Sequence, residues 1–194
     1  MKALLYCVKS KPYLFGHYVG FDTKYQYDLT ICKEVFSFHK NVLNGKIVAE
    51  VEIDKVEEIV ATKWDVACGC AYYQCKTKDL LKKSCLKYID LNDYLDRENG
   101  YALHLTNLNV FNRPKELSEY YLFDPDYCIL KKIKKAPQNM CRVVERYGLI
   151  EVPGKEYVLI SVQPQHLCKI LNGEKTIEVR RKVLNCLKEM CKDE

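Results

Sequence analysis

Apolar residues recur along this chain in two rhythms, one of period two and one near 3.6, and the switches between them mark the expected elements. Residues 2–8 read as a strand buried on both faces, because the apolar run within them, Ala3 to Val8, is continuous rather than alternating. Residues 9–25 are rich in Tyr, Gly and Lys without a clean period, and Leu29, Cys32, Val35 and Phe36 are spaced for one face of a helix within 26–42. Asn44 and Gly45 signal a turn. Beyond it Ile47, Ala49, Val51 and Ile53 point one way and Val48, Glu50 and Glu52 the other, the pattern of a half-buried strand. Residues 62–76 read as a loop, in which Tyr72 and Tyr73 fall. Thr77 is placed to cap a helix through Leu80, Leu81 and Cys85, and a second short helix over 91–97 has Asn92 as its candidate cap. Strands are expected at 101–105 and 108–111, ended by Arg113 and Pro114, then a mostly loop-like stretch over 115–136 and a strand over 141–147.

The C-terminal segment is the most legible. Residues 157–162 are a strand, and Pro164 then sits in a first helical turn, where its missing N–H does no harm. Leu167, Ile170 and Leu171 form one apolar helical face, and Asn172 and Gly173 end that helix in a left-handed cap. The period then returns to two, with Ile177 and Val179 inward and Thr176, Glu178 and Arg180 outward. Val183, Leu184, Leu187 and Met190 describe a last amphipathic helix.

With 194 residues, 48% of them hydrophobic and 29% charged, the chain suits one well-filled globule and not a disordered polymer. No run of about 18 apolar residues exists to make a transmembrane helix. The opening apolar run of six residues, followed by Lys9 and Lys11, is too short for a signal-peptide core. The 11 cysteines are odd in number and several lie in apolar stretches, which points to a reducing, cytoplasmic compartment without structural disulfides. A net charge of +5 is a mild excess with two denser clusters, Lys131, Lys132, Lys134 and Lys135, and Arg180, Arg181 and Lys182. Such a balance suits an anionic partner, although a charge run is commonly only a solvated face. Cys68, Cys70 and Cys75 lack the paired spacing of zinc ribbons, and no phosphate-binding loop, dinucleotide fingerprint or nucleophile elbow is present, so no metal and no cofactor is expected.

The run from Leu159 to Pro164, followed by Gly173, Lys175, Glu178 and Arg180 in the order Gly-x-Lys-x-x-Glu-x-Arg, resembles the signature of ASCH domains, a branch of the PUA-like β-barrel superfamily. In that family a strand ending in Pro leads to a helix, then to this turn and strand. Residues 3–12 and 44–53 resemble the strands that follow the signature in the family, and Pro137, Gln138 and Asn139 resemble a Pro-Gln motif near its last strand. Residues 1–147 thus look like the later part of the domain and 157–182 like its beginning. The resemblance implies one α+β, PUA-like barrel domain over 1–194 in circularly permuted order, with 148–156 joining the old ends. The alternative is a divergent domain followed by a truncated second copy.

What the resemblance implies for function is a cleft at the barrel mouth with Lys175, Glu178 and Arg180 on its border, Gly173 at its turn, and Gln138 and Asn139 beside it. A guanidinium fork, an ammonium and a carboxylate suit the phosphate and base edge of a nucleotide. The first reading is therefore a nucleic-acid or nucleotide-binding module, with RNA or a nucleotide as partner and no membrane. The second is a hydrolase acting on a modified nucleoside or RNA, since relatives include a small bacterial amidohydrolase of N4-acetylcytidine. There a Lys matched by Lys175, a Thr and a later Glu carry catalysis; Glu178 occupies the place of that Thr, a departure from the hydrolase pattern, and no residue here is matched to the later Glu. The third is a protein-binding adaptor of the kind phages and mobile elements encode. The chain's 15 tyrosines, among them Tyr13, Tyr18, Tyr72 and Tyr73 in loop-like stretches, offer stacking surfaces for bases.

Overall fold

The computed structural model describes residues 1–8, 45–65, 67, 69–124, 129–145 and 155–191. Tyr13, Tyr18, the helix expected over 26–42, Cys68 and the break at Pro153 and Gly154 lie outside the described residues. The strands are β1 (Lys2–Cys7), β2 (Ile47–Asp65), β3 (Cys70–Gln74), β4 (Gly100–Lys115), β5 (Tyr120–Asp124), β6 (Ile129–Lys132), β7 (Met140–Glu145), β8 (Glu156–Val162) and β9 (Ile177–Arg180). The helices are α1 (Leu80–Ser84), α2 (Tyr88–Leu95), α3 (Pro164–Leu171) and α4 (Asn185–Glu189). The class is α+β and mostly strand. The ladder order is β6-β5-β7-β8-β1-β2-β4-β9, with β3 also on β2, and the sheet is mixed because β1 and β8 run parallel while the other registered pairs are antiparallel. Among the described residues the sheet is open, ending at β6 and β9, where the sequence led us to expect a closed barrel. No described helix is long and apolar enough to cross a membrane.

The chain divides into two compact units, each discontinuous in sequence. The first comprises Met1–Val51 and Asn107–Leu171. Its β1 has a strand on each side and every residue from Ala3 to Cys7 at 5% exposure or less, as a continuous apolar run demands. Leu4 and Tyr6 pack with Ile47, Tyr120, Ile133, Val143, Tyr157 and Leu159 in one core cluster, where Tyr120 and Tyr157 meet edge to face at 6.3 Å. Each such aliphatic side chain contributes about 1.5–3 kcal/mol on burial. Helix α3 begins at Pro164, buries Leu167 and Ile170 and packs on β1. The stretch over 115–136 is not mostly loop, because β5 and β6 form within it and pair with each other. Tyr120, Tyr121, Leu122 and Phe123 are a run of only four apolar residues between Glu119 and Asp124, shorter than the run that marks β1, which hid β5 in the sequence.

The second unit comprises Glu52–Thr106 and Asn172–Glu194. Here too a loop expectation fails: residues 62–76 contain the end of β2 and all of β3, joined as a hairpin with Asp65 opposite Cys70 and Gly69 at φ +68 in its turn. Tyr72 and Tyr73 accordingly stand on a strand. The strands expected separately at 101–105 and 108–111 are one continuous strand, β4, with Asn107 at φ +50 within it. Ile59, Leu91, Leu95, Ala102, Ile177 and Val179 form this unit's core cluster. Helix α2 starts three residues earlier than expected, and Asn92 lies inside it, where its buried Oδ1 accepts the Ala71 N–H at 2.9 Å and ties the helix to β3. Gly173 follows α3 at φ +76, the left-handed conformation its position predicts. Cys168 is disulfide-bonded, contrary to expectation, while Cys7, Cys70, Cys75, Cys85, Cys141, Cys186 and Cys191 are free thiols.

Candidate functional site

Strand β9 carries Glu178 and Arg180, with Gly173 and Lys175 in the turn before it, and pairs antiparallel with β4, Leu103 facing Glu178 and Tyr101 facing Arg180. Ile177 and Val179 enter the core as expected, but the opposite face is covered too. Lys175, Glu178 and Arg180 are 3%, 6% and 7% exposed, so the open cleft expected to border them is replaced by a buried ion cluster. Glu178 is shared between two cations, with Lys175 Nζ at 3.2 Å from Oε2 and Arg180 Nη2 at 2.8 Å from Oε1. Lys175 Nζ also donates to the Ser84 carbonyl at 2.7 Å, the Thr176 N–H donates to the Lys83 carbonyl at 2.9 Å, and the Cys85 thiol donates to the Glu174 carbonyl at 3.5 Å. These bonds stitch residues 174–176 to the C-terminal end of α1, whose last carbonyls have no partner within the helix. A cation there also complements the negative end of the helix dipole.

The second basic cluster is likewise engaged. Arg180 is buried with Glu178, and Arg181 donates to the Tyr94 carbonyl and, at 3.4 Å, to the Asp93 carbonyl at the end of α2. Gln138 and Asn139 lie in the first unit, whereas Gly173, Lys175, Glu178 and Arg180 lie in the second. Ser161 fixes their loop, its hydroxyl donating to the Pro137 carbonyl at 2.7 Å and its N–H to the Asn139 carbonyl at 2.9 Å. Lys131, Lys132, Lys134 and Lys135 are exposed around the buried Ile133.

A groove of about 1060 Å³ in the second unit is formed by β2, β3, α1 and α2. Tyr73 and Tyr88 supply aromatic surface, Leu80, Leu81 and Leu91 apolar wall, Lys76 and Lys82 exposed ammonium groups, and Glu57, Cys75 and Thr77 the polar part. Glu57 is 4% exposed. Lys55 Nζ meets its Oε1 at 2.9 Å. Its Oε2 accepts from the Thr77 hydroxyl, lies 3.2 Å from His104 Nε2, and accepts the Cys75 thiol at 3.3 Å. Thr77, expected to cap α1, is therefore committed to Glu57 and to His104, 3.2 Å away, and α1 begins after Asp79 instead. Desolvation raises the pKa of Glu57, but the hydrogen bonds from Thr77, Lys55, His104 and Cys75 outweigh it and hold the value down to about 2. Desolvation, with the Glu57 charge beside it, pushes the Cys75 thiol up to about 11.

None of Glu57, Thr77, Cys75 or His104 stood out as a site in the sequence. One signal was available. Extending the inward phase of Ile47, Ala49, Val51 and Ile53 along β2 reaches Glu57 and Ile59, so a carboxylate sits where the pattern calls for an apolar residue. Among the described residues no group of three His, Cys, Asp or Glu side chains is arranged to hold a metal ion. No protein-family model, curated protein or solved structure matches the chain.

Proposed function

We propose that this chain is an ASCH-like, PUA-related domain in permuted order that binds a nucleotide, free or within RNA, in the groove of its second unit and does not act on it chemically. The groove itself carries the reading: two tyrosine rings, an apolar wall and exposed lysines in one concavity suit a flat base with an attached phosphate. The signature residues act one step back, since Lys175 holds the end of α1 and α1 walls the groove. The permuted order is supported by the direct parallel pairing of β1 with β8, because the segments that resemble the later part and the beginning of the family's domain share one core.

Binding is favoured over hydrolysis by the state of the reactive groups. Cys75, with its pKa near 11, is a protonated thiol at neutral pH, and Glu57, near 2, is too weak a base to activate a hydroxyl. Thr77 Oγ1 already donates to Glu57. Equilibrium titration of cytidine, adenosine, guanosine and uridine monophosphates, alongside an N4-acetylcytidine turnover assay, tests the reading. Saturable binding that Tyr88→Ala weakens about tenfold or more, with no product formed, is the expected result. Turnover of the nucleoside, or binding indifferent to Tyr88, contradicts it.

A further inference from the structure

We infer a second nucleic-acid contact on the β2–β3 hairpin, where Trp64 and Arg97 form a platform for an unpaired base next to the one held in the groove. The inference rests on the groove reading and deepens it, naming the ligand as a single strand of at least two nucleotides. Trp64 is 40% exposed, and the Arg97 guanidinium carbon lies 3.6 Å from its ring centroid, a stacking distance that leaves a planar cation over an aromatic face. Together with Ala61, Thr62, Lys63 and Ala71 they line a shallow concavity of about 250 Å³. Its two charges, Lys63 and Arg97, are both positive, and the neighbouring Asp65 carboxylate is turned back to accept the Ala67 N–H at 2.9 Å. Aromatic and guanidinium planes with a lysine beside them match the faces of bases and the phosphates between them.

Two further observations point the same way. Arg97, at φ +69, directly follows Asp96, the left-handed C-cap of α2 at φ +51, so its place over the indole is anchored to the end of that helix. The Arg97 N–H donates to Tyr73 Oη at 3.1 Å, and Tyr73 also lines the groove. The Tyr73 hydroxyl thus ties a groove-lining residue to the backbone of the platform's arginine, which puts the two features side by side on the hairpin.

The test is fluorescence anisotropy with the full chain and a 5′-labelled oligouridine of about ten nucleotides, competed by uridine monophosphate. The wild-type chain is expected to bind the oligonucleotide about tenfold or more tightly than the mononucleotide. Trp64→Ala and Arg97→Ala should each weaken the oligonucleotide about tenfold and leave the mononucleotide unchanged, while Trp64→Tyr retains most of the affinity. Lys63→Ala, at an exposed side chain, should flatten the salt dependence of oligonucleotide binding by about one phosphate contact, and it provides the readout if Trp64→Ala fails to fold. Equal affinity for both ligands, or an oligonucleotide indifferent to all of these substitutions, overturns the platform and leaves the groove reading standing. Failure of both ligands to bind the wild-type chain overturns both readings.

Discussion

Burial by itself raises the pKa of a carboxyl group, and at Glu57 four hydrogen-bonding partners reverse that sign. Unfolding releases the group from about 2 to its ordinary 4.5, so its contribution is complete above pH 4.5 and is lost as pH falls toward 2. The shift corresponds to roughly 3 kcal/mol at neutral pH. Urea unfolding of the wild-type chain should therefore weaken steeply across that interval. Glu57→Gln should be less stable at neutral pH and lose less across that interval; parallel profiles for the two proteins would contradict the assignment. Gly173 gives a second single-residue prediction. An added Cβ there meets nothing within 4 Å, so Gly173→Ala should cost only the left-handed strain at φ +76, about 1 kcal/mol, read as a lowered melting temperature. Gly173 was legible because a helical face stops just before it. Glu57 was overlooked because its phase shows only once β2 is known to continue past Ile53.

At the scale of elements, the segment from β8 through α3 to β9 was readable because each boundary carries its own chemistry: Pro164 opens the helix and Gly173 closes it. The β2–β3 hairpin was not, for a physical reason. Its distal part is exposed on both faces at Thr62, Lys63 and Trp64, so it has no buried stripe to write into the sequence. It is held by the ladder and by bonds such as Thr62 Oγ1 to the Tyr72 carbonyl at 3.2 Å. Period two likewise predicted which residues of β9 face away from the core, but not that this second face is covered as well. The ion cluster there makes a definite prediction. Glu178→Ala leaves Lys175 and Arg180 buried side by side without their counter-charge and should destabilise by about 3–5 kcal/mol. Lys175→Met, which fills the same volume without bonding Ser84, should raise hydrogen exchange at the amides of α1 while those of β8 stay protected. Unchanged exchange in α1 would remove Lys175 from its positioning role.

For the whole molecule, charge and topology set the frame in which these local features act. A net charge of +5 favours anionic partners in general, and the cations of the second unit differ among themselves in what they already do. Arg180 and Arg181 are committed to a carboxylate and to helix-end carbonyls, whereas Lys76 and Lys82 stand exposed at the groove. Fold class was legible from alternating and continuous apolar runs. The division into two discontinuous units was not, because β2 and β4 each pass through both and no linker composition marks the crossing at Val51 and Asn107. The groove was hidden as well, its walls coming from residues that were read as loop, cap and helix separately and from the part of β2 beyond Ile53. The central claim, that this groove is the nucleotide site, is tested most directly by following backbone amide resonances of the labelled chain during titration with uridine monophosphate. The account predicts saturable shifts clustered at Tyr73–Lys82 and Tyr88, with Gln138 and Asn139 unmoved. Shifts confined to Gln138 and Asn139, or no saturable shifts at all, would contradict it.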